Sequence, residues 1–174
     1  MKLIPGHAAS FPLLRKQGMR EKEISAMAKN LLLFPTPFKG IYYVPLDDER
    51  EGWLIEKPSL AIREALALYL GTSDFYYSCA TAEEFHGISW HPSGELHVVN
   101  EVRSGRINLK ARVERNRRKK TWRAGRVARI LEFYGNEIVF HRGSVSGAKY
   151  KETPYGKFAL RSQIKKDRKR FRCK

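Results

Sequence analysis

Little in this sequence supports export, membrane insertion or nucleotide-phosphate chemistry. Its 174 residues hold two cysteines, Cys79 and Cys173. Two lone thiols make no disulfide framework and point to a reducing, cytoplasmic home. The longest apolar runs, such as Leu31–Phe34, fall far short of the roughly 20 residues that span a bilayer, and the opening stretch Met1–Phe11 has no leader-like apolar segment. No G-x-x-x-x-G-K-S/T or G-x-G-x-x-G element is present to cradle a phosphate. Acidic residues are scarce in one half only. Residues 101–174 hold 6 Asp+Glu against 24 Lys+Arg, whereas residues 1–100 hold 12 against 10.

What is there, then, is segregated charge. The first 100 residues carry a net −2 and the last 74 a net +18, giving the +16 of the whole. A field of that size repels itself in a compact state, and solubility needs a net charge of only about 2–8 in a small domain. A polyanion that neutralises it is the simplest reason for its presence, with nucleic acid first among the candidates. Anionic lipid would also attract it, but no amphipathic helix with bulky apolar anchors accompanies the charge, so no membrane partner is expected. A hydrophobic content of 42% and 20 aromatic residues suffice for a core.

Patterning suggests the elements. Arg20–Leu33 places Ile24, Met27, Ala28, Leu31 and Leu32 on one helical face, and Pro35 and Pro37 stop it. A hairpin is expected from Phe38–Pro45 and Trp53–Ile55 around the acidic turn Asp47–Glu51. A second helix runs from Ser59 as N-cap to Gly71. Phe75–Tyr77 reads as a short strand, and Thr81–Glu84 as a capping box opening a helix to Gly87. Strands are expected at Glu95–Val102, Arg106–Val113, Val127–Tyr134 and Glu137–His141, the last two joined at Gly135-Asn136. The final 20 residues read as a helix or an extended arm.

The candidate contacts are basic. Arg103 precedes a strand face carrying Arg106, Lys110 and Arg112. A loop then holds Arg115, Arg117, Arg118, Lys119, Lys120, Arg123 and Arg126 around Trp122, and the tail holds Lys165, Lys166, Arg168, Lys169, Arg170 and Arg172 before Lys174. Arginine suits bidentate phosphate contact and stacking, and an aromatic among arginines suits unpaired bases. Packing beneath a loop is the competing role for Trp122. A helix-turn-helix reader would concentrate charge on its reading helix, yet in Arg20–Leu33 the cations Arg20, Lys22 and Lys29 are offset by Glu21 and Glu23.

Catalytic and metal chemistry have weaker support. Cys79, His86, His91 and His97 follow one another at spacings of 7, 5 and 6, which match no compact zinc signature. Glu83, Glu84 and His86 could serve as acid and base, but Glu84 is better explained by capping and His86 by packing. No catalytic residue, metal or cofactor is therefore expected.

Gly40-Ile-Tyr-Tyr-Val-Pro45, the Ala-rich helix Ala61–Leu70, and Tyr76 to Gly87 with Thr81-Ala-Glu-Glu-Phe-His-Gly-Ile88 together resemble the AbiEi-type antitoxin and transcriptional-regulator family. The resemblance covers residues 38–102. It implies an N-terminal winged helix-turn-helix for operator DNA, a C-terminal antitoxin domain and a nucleotidyltransferase-like toxin partner. Fewer than 40 residues precede the wing, short for three helices, and the C-terminal half is unusually rich in arginine.

The combined expectation is an α+β chain. A winged-helix-like head of helix plus hairpin spans 1–56, a mixed domain with a largely antiparallel sheet spans 57–160, and a basic arm spans 161–174. Its function is expected to be non-enzymatic RNA binding on an AbiEi-like scaffold, with ribosomal RNA and neighbouring ribosomal proteins as first partners. The alternatives are an operator-binding antitoxin, with Arg20–Leu33 near the major groove and Lys39 on the wing, and an antitoxin domain meeting an acidic toxin surface.

Overall fold

The computed structural model describes residues 3–173, so Lys174 of the expected arm lies outside the described residues. The chain runs β1 (His7–Ser10), α1 (Phe11–Lys16), α2 (Glu21–Lys29), β2 (Phe34–Pro35), β3 (Ile41–Val44), α3 (Asp47–Gly52) and α4 (Pro58–Leu70). It continues through β4 (Phe75–Tyr77), α5 (Cys79–Phe85), β5 (Glu95–Asn100), β6 (Gly105–Asn108), α6 (Leu109–Arg118) and α7 (Trp122–Glu132). It ends with β7 (Glu137–Arg142), β8 (Tyr150–Thr153), β9 (Gly156–Ala159) and α8 (Arg161–Phe171). The fold is mixed α+β. Two compact units divide it, residues 1–71 with 109–134 and residues 72–108 with 135–174. The units therefore do not part at 56/57 and 160/161. Residues 109–134 belong to the first unit as a helical pair, and 161–171 belong to the second as α8.

In the first unit, β1, β3 and β2 form an antiparallel sheet in that order, with His7 opposite Val44 and Phe34 opposite Tyr43. Helices α1 and α2 lie between β1 and β2 in the chain. Ser10 caps α1 by accepting from the Leu13 amide, and Arg20 and Glu23 close the start of α2. Ala9, Leu14, Ile24, Leu33 and Val44 bury together behind these elements. The expected hairpin is not formed. Asp47–Gly52 is a helix because Glu49 turns inward, accepting from the Tyr43 hydroxyl and from the Leu46 and Glu56 amides. Helix α4 lies where its pattern placed it, ending at left-handed Gly71, with Pro58 at its first position and Lys57 rather than Ser59 as N-cap. It buries Ala61, Ile62, Ala65, Leu66 and Leu70, and each larger aliphatic contributes about 1.5–3 kcal/mol.

Two expected strands are helical. The alternation Ile107, Leu109, Ala111, Val113 contains a helical i, i+4 pair, Leu109 and Val113, which are buried while Ala111 is exposed. The strand accordingly ends at Asn108 and α6 begins at Leu109. Residues 122–132 also form a helix, because Thr121 caps them by accepting from the Ala124 amide and Ala124, Ala128 and Leu131 make a buried stripe. Gly135-Asn136 consequently joins α7 to β7 rather than two strands.

The second unit is built on a six-stranded sheet in the order β6-β7-β5-β4-β9-β8. It is less antiparallel than expected, since the β5–β7 and β4–β9 pairings are parallel. Tyr76, Ala82, Val99, Val145, Ala159 and Ile164 form a core between sheet and helices. The capping box at Thr81 is not formed. Helix α5 starts two residues earlier, and Thr81 Oγ1 instead donates to the Glu95 carbonyl and accepts from the His97 amide. Gly156 is required as glycine: its φ is +136° and an added Cβ would lie 2.6 Å from the Tyr77 ring. Helix α8 is a docked element rather than a loose arm. Its buried Asp167 accepts from the Tyr76 hydroxyl at 3.1 Å, the Ser78 hydroxyl at 2.6 Å and the Gln163 amide at 2.9 Å. That carboxylate raises the Tyr76 hydroxyl's pKa, after burial as the first cause.

Candidate nucleic-acid interface

The helical pair α6–α7 gathers half of the cationic residues of the first unit, 10 of 20, into one hairpin. Residues 109–134 hold 10 Lys+Arg against 2 Glu. Arg115, Arg118, Lys119 and Lys120 are exposed at and beside its turn, and no carboxylate is paired with them among the described residues. The turn itself is tight, with Lys120 in a left-handed conformation at φ +51°. Lys110 is exposed earlier on α6.

The other expected contacts in this hairpin have structural partners. Arg112 is half-buried and donates to the Pro37 carbonyl. Burial, and after it the Arg115 charge, lowers the Arg112 pKa. Arg117 pairs with Glu132. Arg123 donates to the Lys29 and Ala28 carbonyls, neutralising the negative end of α2. Arg126 lies over the rings of Trp53 and Trp122, 4.7 and 5.4 Å from their centroids. Trp122 meets Trp53 edge-on at 5.3 Å and yet remains 63% exposed. Packing and an accessible ring face therefore coexist in one residue.

The expected line of Arg106, Lys110 and Arg112 along a strand does not exist. Arg106 lies on β6 of the second unit, paired with Glu137 at 3.1 Å, whereas the other two lie on α6. Arg103 sits half-buried in the turn after β5, where the Asn100 side chain accepts from its amide. On α8 the outward face carries Lys165, Lys166, Lys169 and Arg170, with Arg172 just beyond, while Arg168 pairs with Glu83 at 2.8 Å. The buried Ile164 and Asp167 fix which face turns outward.

The acid–base candidates are engaged as scaffold. Glu83 holds Arg168, Glu84 accepts from the Ser93 amide at 2.6 Å, and His86 Nε2 meets the Ala159 carbonyl at 2.9 Å. His86 and exposed His91 are thus apart from Cys79 and His97 in role. Two residues that sequence spacing could not nominate, His141 and Cys173, stand with Cys79 and His97 instead. Burial first, and the facing His97 second, lower the His141 pKa to about 4. None of the described helices is long and apolar enough to cross a membrane. Compared with protein-family models, curated proteins and solved structures, the chain finds no match.

Proposed function

We propose that this chain is a non-enzymatic, cytoplasmic RNA-binding protein that takes structured RNA, ribosomal RNA and its neighbouring proteins first among the candidates. The observation that carries the proposal is exposed positive charge on helical elements that is paired with no carboxylate among the described residues. Arg115, Arg118, Lys119 and Lys120 crowd a helical turn, and Lys165, Lys166, Lys169 and Arg170 line one face of α8. Like charges held that close repel one another in the free protein, and phosphates relieve the repulsion. The exposed ring of Trp122 beside the turn supplies a stacking surface for an unpaired base.

A second reading, operator DNA binding by an AbiEi-like regulator, is favoured by the β1–α1–α2–β2–β3 connectivity. Against it, exposed Lys22 and Lys29 on α2 share that short helix with Glu21 and Glu23. The two are separated by native sedimentation of lysate with and without RNase, followed by anisotropy titration of the purified chain against a structured RNA and a duplex DNA of equal length. RNase-sensitive migration with large particles and tighter RNA binding support the proposal. A small free species that prefers the duplex, and loses it on charge reversal at Lys22 and Lys29, refutes it.

A further inference from the structure

Four side chains of the second unit converge at a point that the RNA surface does not use. They are Cys79 at the start of α5, His97 on β5, His141 on β7 and Cys173 just after α8. One donor atom from each lies within 4.8 Å of all the others. The parallel register sets Val99 opposite His141 and His97 opposite Val139, so both imidazoles leave the same face of neighbouring strands. Cys79 and the residue before Cys173, Arg172, both adopt left-handed backbone, at φ +51° and +52°. Such conformations are uncommon for residues with a side chain.

The nitrogen pair is the informative part. His97 Nε2 lies 3.0 Å from a Glu95 carboxylate oxygen, which can only accept, so in the neutral ring Nε2 carries the proton and Nδ1 the lone pair. That Nδ1 faces His141 Nε2 at 2.9 Å, with the ring planes 5° apart. A carboxylate behind a histidine whose other nitrogen points at a second imidazole and two sulfurs is the arrangement that orients a metal-binding histidine. Thiolate and imidazole donors select zinc over magnesium or calcium. Zinc bonds of about 2.3 Å to sulfur and about 2.0–2.1 Å to nitrogen put tetrahedral donors roughly 3.3–3.8 Å apart, which this cluster reaches by small side-chain movements. The two sulfurs are bonded to each other in the structure. A disulfide accounts for the cysteines but not for two imidazoles facing the same point with a carboxylate behind one of them.

We propose that, with both cysteines reduced, Cys79 Sγ, His97 Nδ1, His141 Nε2 and Cys173 Sγ hold one zinc ion, with Glu95 positioning His97. Four protein ligands leave no open coordination position, so the site is structural. It fastens the end of α8, and hence the cationic face of that helix, to β5 and β7.

The test uses the full chain, purified in a phosphine reductant without chelator and incubated with zinc. Metal analysis should give about one zinc per chain and denaturing thiol titration two thiols, and cobalt in place of zinc should give thiolate-to-cobalt charge-transfer absorption. Glu95→Gln retains every ligand and should weaken zinc binding about 10–100-fold against a chromophoric chelator. A reduced chain with two free thiols and no bound zinc or cobalt overturns the proposal, as do cysteines that stay bonded in reductant. Undiminished zinc in a His97→Gln/His141→Gln double variant overturns the ligand assignment.

Discussion

Replacing Arg115, Arg118, Lys119 and Lys120 together with glutamine tests the interface where its charge is least encumbered. All four side chains are exposed and none is paired with a carboxylate among the described residues, so the fold should hardly notice. Surface changes of this kind usually stay within about 0.5 kcal/mol each. Binding should respond strongly. Each lost phosphate contact reduces the slope of log K against log salt by about 0.7–0.9, so four contacts remove about 2.8–3.6. Carried to physiological salt of about 0.15 M, that is roughly a 200- to 1000-fold loss of affinity. Anisotropy titrations over a KCl series measure the slope directly, and a thermal melt by circular dichroism checks the fold. Arg117→Gln is the internal control: its guanidinium is engaged by Glu132, so alone it should leave the slope nearly unchanged. A quadruple variant that keeps its fold and whose slope falls by less than about 1 would refute the assignment of the hairpin turn as the phosphate contact.

Other consequences follow from single sites. Trp122→Ala should weaken RNA binding by about 1–3 kcal/mol if its exposed face stacks on a base, and an unchanged Kd in the same titration would leave it a packing residue only. Asp167→Asn keeps the size of the side chain but turns an amide toward hydroxyl and amide donors. Urea unfolding should show a loss of about 2–4 kcal/mol, and a loss below about 0.5 kcal/mol would mean Asp167 does not anchor α8. Gly156→Ala should cost roughly 1–3 kcal/mol in the same assay, since the methyl meets the Tyr77 ring at a left-handed position.

Local chemistry was most legible where one cue dominated. Helix α4 carried both its apolar stripe and its terminal Gly71, and β4, β5 and β7 carried dense β-branched or aromatic runs between turn residues. Legibility failed where two periods fit the same letters. Alternation from Arg106 to Val113 satisfied a strand over its whole length, but only Leu109 and Val113 are buried among its last five residues, which is a helical spacing. The acidic run at Asp47–Glu51 read as a turn because nothing local tells that Glu49 will find three donors inside.

The sequence by itself determined the quantities that depend on residue identity alone: the charge and its confinement to the last 74 residues, the lack of a long apolar span, and the main apolar faces. Tertiary structure decided how those charges are used. Packing engaged Arg112, Arg117, Arg123 and Arg168 with carbonyls and carboxylates, and left Arg115, Arg118, Lys119, Lys120 and one face of α8 unpaired with any carboxylate among the described residues. It also assembled Cys79, His97, His141 and Cys173 across intervals of 18, 44 and 32 residues. No local signature encodes such a cluster, because strand order and the docking of α8, rather than spacing along the chain, bring its donor atoms together.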